Sequence, residues 1–94
     1  MNRRDHIIMT LMEECNELAK VVSKAGRFGH TCNYDGITNH EKIVNEYNDL
    51  LAMIELLEDE LKIIIPRNEN LIRHKKEKFE MMLADSKGRG LLDE

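Results

Sequence analysis

The sequence predicts an all-α fold of three main helices forming a helical bundle, and three observations carry that expectation. Apolar residues recur at alternating steps of three and four along most of the 94 residues, the period of one helix face. The one proline, Pro66, and the five glycines fall between or after these periodic stretches. Hydrophobic residues make up 41% and charged residues 34% of the chain, with six methionines and no tryptophan, a balance that favours helix over sheet. A chain of this length forms one domain, residues 1–94, and buries so modest a share of its surface that further copies are expected to complete its core. A homo-oligomer, dimer or tetramer, is therefore expected.

Helix one is expected over about residues 5–24, where Ile8, Leu11, Cys15, Leu18 and Val22 mark one face. Gly26 and Gly29 interrupt the pattern, and residues 25–39 read as a polar loop, long for a helical hairpin. Thr38 with Glu41 spells a capping box, with Asn39 as the rival cap. Helix two is expected over about residues 40–64, with Ile43, Tyr47, Leu50, Ile54, Leu57 and Leu61 on one face, ending ahead of Pro66. Ile63, Ile64 and Ile65 are expected in the core. Helix three, about residues 69–85, carries a thinner stripe of Ile72, Phe79, Met82 and Leu83, and Gly88 and Gly90 close it before a short C-terminal tail.

A net charge of −4 with both signs interspersed provides no basic field for duplex nucleic acid, so no such partner is expected. Cys15 and Cys32 are too few for a disulfide scaffold and read as free thiols. No apolar run approaches the roughly twenty residues that cross a bilayer, and Met1–His6 leads into an amphipathic pattern rather than a signal-peptide core. No membrane association and a cytoplasmic location are expected.

Two acidic pairs stand out. At 100° per residue, Glu14 and Glu17 lie about 80° and 140° from the centre of helix one's apolar stripe, on one flank. Glu13 points further round, towards solvent. Glu46 and Asp49 lie about 60° and 120° from the stripe of helix two, again on one flank. Stacking the stripes could bring all four acids to one groove, and carboxylates so crowded are tolerable mainly with a divalent cation among them. Hard oxygen ligands favour Mg²⁺, with Mn²⁺ as a substitute. Acids are common in this chain, as Glu55 with Glu58 and Glu77 with Glu80 show, so spacing alone leaves two readings open: a solvated charged face and a metal groove.

Glu13-Glu14-Cys15-Asn16-Glu17, followed after 28 residues by Glu46-Tyr47-Asn48-Asp49, resembles the EExxE and ExxD signature of the MazG-like, or all-α NTP pyrophosphatase, superfamily. The resemblance continues outside the acids. Ser23-Lys24-Ala25-Gly26-Arg27-Phe28-Gly29 is similar to the "SKALRFG" stretch of phage-type members, and Thr38-Asn39 precedes the second helix as it does there. Asn45 to Leu57 is similar to that group's "ELADLLAVIELL", and Lys75-Lys76-Glu77-Lys78 with Ser86 and Gly90 looks like its closing pattern. The resemblance implies a helical bundle completed by dimerisation, with Glu14, Glu17, Glu46 and Asp49 as catalytic metal ligands and Glu13 as an outer-shell residue. It implies a Mg²⁺-dependent nucleotide pyrophosphohydrolase that converts standard or modified (d)NTPs to the monophosphate and pyrophosphate. Water activated by the metal would attack the α-phosphorus.

Nothing in the residues demands another mechanism: no Ser-His-Asp or Cys-His arrangement with a recognisable local signature and no P-loop is present. His30, Cys32, His40 and Cys15 lack the paired spacing of a zinc site. Phosphates must then be met by metals and cationic side chains. Lys75 and Lys78, one turn apart beside the stripe of helix three, are candidates. Arg27 could contact a phosphate and Phe28 stack on a base, and Asn39 is a third substrate-binding candidate. The alternatives are a catalytically silent helical nucleotide-binding or assembly module of the same fold, and a pyrophosphohydrolase of another nucleotide, such as a phosphoribosyl adenine nucleotide.

Overall fold

A computed structural model describes residues 1–33 and 35–93; Tyr34 and Glu94 lie outside the described residues. Three helices and no strand occur among the described residues: α1 (Arg3–Phe28), α2 (Asn39–Leu61) and α3 (Glu69–Gly88). Among the described residues no helix is long and apolar enough to cross a membrane.

Helix α1 runs about a turn past its expected end. Gly26 is accommodated inside the helix, and termination falls to Gly29, whose φ of 92° most side chains avoid and whose N–H donates to the carbonyl of Ala25. Its start is fixed by a capping box between Asn2 and Asp5, each bonding the other's backbone amide. Thr38 caps α2 by accepting from the Glu41 amide, which makes Asn39 the first helical residue. The loop supplies the next partners: Asn39 N–H donates to the Cys32 carbonyl at 3.1 Å and His40 N–H to the His30 carbonyl at 3.0 Å. Three of the four amides that a helix start leaves free are thus satisfied. Helix α2 stops at Leu61 because Lys62 turns left-handed, at φ 55°. The Glu58 carboxylate then accepts from the Ile65 amide at 2.7 Å. Ile63, Ile64 and Ile65 lie outside the core, 47%, 81% and 48% exposed, since this turn carries them off the end of the hairpin.

Helices α1 and α2 pack against each other as an antiparallel hairpin, and α3 packs against neither. The stripe that α1 turns inward is Ile7, Leu11, Glu14, Leu18, Val21 and Ala25, while the expected Ile8, Cys15 and Val22 are exposed. On α2 the half-buried or buried positions of the stripe are Asn39, Ile43, Glu46, Leu50, Met53, Ile54 and Leu57, with the expected Tyr47 and Leu61 outside. The buried face of α1 is therefore centred about 60° from the expected one. The displaced stripes remain as open apolar surface: Ile8, Met12 and Val22 on α1, and Val44, Tyr47 and Leu51 on α2. In an antiparallel pair, a stripe one residue ahead of the inward face on both helices lies on the same side of the hairpin. One side of the hairpin is thus apolar and uncovered.

The shape follows. The radius of gyration is 17.2 Å, where a compact chain of this length has about 12 Å. The exposed surface is 7931 Å², some 2,300 Å² above the roughly 5,600 Å² expected for a monomeric globule of this mass.

Candidate metal centre and adjoining cavity

With the inward face set as it is, Glu14 and Glu46 stand at core positions of the hairpin rather than on its flanks. Both are half-buried, and the Oε2 atom of each is sealed from solvent with no hydrogen-bond partner among the described residues. Asp49, one turn beyond Glu46, completes a cluster in which one carboxylate oxygen of each residue lies within 4.8 Å of the others. Burial, then the neighbouring Glu46 carboxyl, then the charges of Asp49, Glu46 and Glu17 push the Glu14 carboxyl above the usual glutamate range. Two buried acceptors without donors amid like charges form a site that lacks positive charge, and a hard divalent cation is the chemical complement of such oxygens.

Not every expected site residue joins this cluster. Glu17 is exposed and pairs with Lys20 at 3.4 Å, so its charge is felt by Glu14 but its oxygens stand apart. Glu13 is exposed. Lys75 and Lys78 are exposed on α3, and within one chain that helix does not reach the hairpin. Arg27 and Phe28 end α1; the guanidinium lies 5.8 Å from the ring centroid, and the ring is 64% exposed rather than plugging the bundle. Asn39 is buried, and its Nδ2 donates to the Gly29 carbonyl at 2.9 Å. Since Gly29 O can only accept, the amide orientation is settled.

Phe28 and Asn39 belong to a cavity of about 430 Å³ at the loop end of the hairpin, lined also by Lys24, Cys32, Asp35 and Lys42. Lys42 pairs with Asp35 at 3.0 Å, and this ammonium holds the Asp35 carboxyl below its usual range. Neither Lys24 nor Lys42 is marked by the acidic motifs. The usable signal is spacing: Lys42 stands four residues before Glu46 and Lys24 four before Phe28, each one turn away on its own helix.

Comparison with known protein families, curated proteins and solved structures found no match.

Proposed function

We propose that the chain is a Mg²⁺-dependent nucleoside triphosphate pyrophosphohydrolase of the MazG-like kind, releasing (d)NMP and pyrophosphate. The observation that carries this reading is the pair of sealed, donorless carboxylate oxygens of Glu14 and Glu46 beside Asp49. Stability alone gives no reason to place two acids at facing core positions, because each costs desolvation and repels the other. Glu14, Glu46 and Asp49 would hold the cation, and Glu17 would join them by leaving Lys20. Bound there, the cation supplies a lowered pKa for an attacking water and neutralises charge on the phosphates. The protein's own contribution is positional: a rigid helix pair fixes the carboxylates, and the semi-buried seam keeps bulk water from screening them.

The same reading includes a homo-oligomer. The uncovered apolar side of the hairpin and the unpacked α3 account for the excess exposed surface, and about 2,300 Å² per chain is ample for a stable interface. The open apolar stripes and the acid cluster face different sides of the hairpin, so a second copy can cover the first without blocking the second.

A catalytically silent nucleotide-binding module is the second reading, and the Glu17–Lys20 pair favours it, because it leaves three carboxylates in the cluster instead of four. One experiment separates the two. Purified protein is incubated with a panel of NTPs and dNTPs and Mg²⁺, and products are resolved by ion-exchange chromatography. Monophosphate and pyrophosphate, lost in EDTA, are the expected products. Orthophosphate as first product, or activity that survives chelation, refutes the proposed chemistry; binding without turnover supports the silent module.

A further inference from the structure

We propose that the cavity at the loop end of the hairpin seats the nucleoside of a nucleoside triphosphate, and that Lys24 and Lys42, not the lysines of α3, bind its phosphates. This rests on the pyrophosphohydrolase reading for the identity of the ligand, and on cavity geometry for its placement.

The first argument is position. Taking the inward-facing Glu14 as reference on α1, Glu17 lies about −60°, Lys24 about −80° and Phe28 about −40° around the helix. Taking Glu46 on α2, Lys42 lies about −40° and Asp49 about −60°. Equal signs on antiparallel helices mean one side of the hairpin, so the cavity and the carboxylate cluster open on the same side, opposite the apolar stripes. Along the axes, Lys42 is about 6 Å from Glu46 and Lys24 about 15 Å from Glu14. A nucleotide seated at Phe28 would therefore direct its phosphates past the two lysines towards the acids.

The second argument is composition. A volume of about 430 Å³ falls within the usual range of small-molecule sites. Phe28 presents an exposed ring suited to stacking on a base. Asn39 is anchored through Nδ2, which leaves its carbonyl oxygen as the acceptor on offer to a donor-bearing ligand edge. Among the described lining residues there are two ammonium groups and one carboxylate, Asp35, which pairs with Lys42. Within one chain Lys75 and Lys78 stand on a helix that packs on neither α1 nor α2, so the cations that the hairpin itself brings to the cavity are Lys24 and Lys42.

The third argument concerns Asp35. Its 3.0 Å pair with Lys42 occupies the cation that a phosphate would need. A triphosphate must therefore compete with Asp35 for Lys42, and Asp35 lowers its affinity. A purely structural ion pair makes a different prediction, since breaking it from either end would have the same effect.

The test is a titration of the full-length protein with α,β-imido nucleoside triphosphates, which resist cleavage at the scissile position, followed by calorimetry with Mg²⁺ present. Lys42→Ala and Lys24→Ala are each expected to weaken binding about tenfold, a loss typical of one charge-assisted contact, with partial rescue by Lys42→Arg. Asp35→Asn is expected to tighten binding several-fold, and Lys75→Ala with Lys78→Ala to leave it unchanged. As an independent readout, alkylation of Cys32, which lines the cavity, should be slowed by the ligand, whereas that of the exposed Cys15 should not. Equal weakening by Lys42→Ala and Asp35→Asn, loss of binding only in the α3 variants, or an unprotected Cys32 overturns the proposal. Tight binding and Cys32 protection without pyrophosphate release from natural triphosphates would uphold the site and refute the enzyme reading. Turnover that is indifferent to Lys24 and Lys42 would do the reverse.

Discussion

Glu14 on α1 and Glu46 on α2 occupy facing core positions of an antiparallel helix pair, each with one carboxylate oxygen shut off from solvent and from any donor among the described residues. A folded chain holds such a pair at a cost, and that cost gives the first prediction its sign. In EDTA, Glu14→Gln, Glu46→Gln and Asp49→Asn should melt no lower than wild type, because each relieves repulsion. Added Mg²⁺ at a hundred times its Kd should stabilise the wild type by about 2.7 kcal/mol and the variants by less. Turnover of each variant should fall by about 100-fold or more. Differential scanning fluorimetry and a pyrophosphate assay check both halves; a metal-free melting temperature well below wild type would mean that the acids are structural.

Glu17 separates the structure from the resemblance. Because its pair with Lys20 is exposed, Glu17→Gln should change stability by no more than about 0.5 kcal/mol. As a ligand that leaves Lys20 on metal binding, it should nonetheless be needed for turnover. Lys20→Ala frees the carboxylate and should lower the Mg²⁺ concentration that gives half-maximal activity. If neither substitution changes the Mg²⁺ dependence, Glu17 takes no part in the site.

The raised Glu14 pKa sets a pH dependence for the metal-free protein. Between the ordinary glutamate pKa, about 4.3, and the higher folded value, the native state holds more protons than the unfolded one, so stability falls as pH rises through that window. In EDTA the wild type should lose melting temperature across this interval. Glu14→Gln should lose less, and saturating Mg²⁺ should flatten the wild-type curve. A wild-type profile parallel to that of Glu14→Gln would contradict the assigned cause.

Asn39 and Phe28 both line the cavity, and their burial predicts opposite phenotypes. Asn39→Ala removes a buried bond to the Gly29 carbonyl and should cost about 1–2 kcal/mol in denaturant unfolding. Gly29→Ala should cost about 1–3 kcal/mol, since φ 92° with ψ 153° is a region nearly restricted to glycine. Phe28→Ala should leave unfolding nearly unchanged and raise KM, because the ring is mostly exposed. A destabilised Phe28→Ala would make the ring part of the core instead.

The uncovered apolar side predicts the assembly state. Light scattering coupled to gel filtration should find an oligomer, and Tyr47→Glu or Leu51→Glu should shift the mass towards the monomer without abolishing helicity by circular dichroism. Asn45→Ala, at an exposed position away from the apolar stripe on the same helix, serves as the control and should leave the mass unchanged. A monomeric wild type at micromolar concentration would refute the interface.

Much of the architecture was legible in the residues alone. Helical periodicity, the Thr38 cap and the glycines located three helices. Local chemistry decides such features, so a local reading finds them. Spacing alone left Glu14, Glu17, Glu46 and Asp49 open between a solvated face and a metal groove, and only the resemblance singled them out. The helix ends were less legible: Gly26 is compatible with both helix and loop, and only the geometry at Gly29 shows which glycine ends α1.

The face that each helix buries was decided by tertiary structure. Helix α1 carries one apolar series through Ile7, Leu11, Leu18, Val21 and Ala25 and another through Ile8, Met12, Cys15 and Val22, one residue apart. Both satisfy the helical period, so periodicity cannot choose between them. Packing against α2 chose the first series, which moved Glu14 from the flank to the core; within one chain α3, which carries Lys75 and Lys78, packs on neither helix. A rotation of about 60° around one helix axis is invisible to a pattern that repeats every turn, yet it determines which carboxylates lose their water.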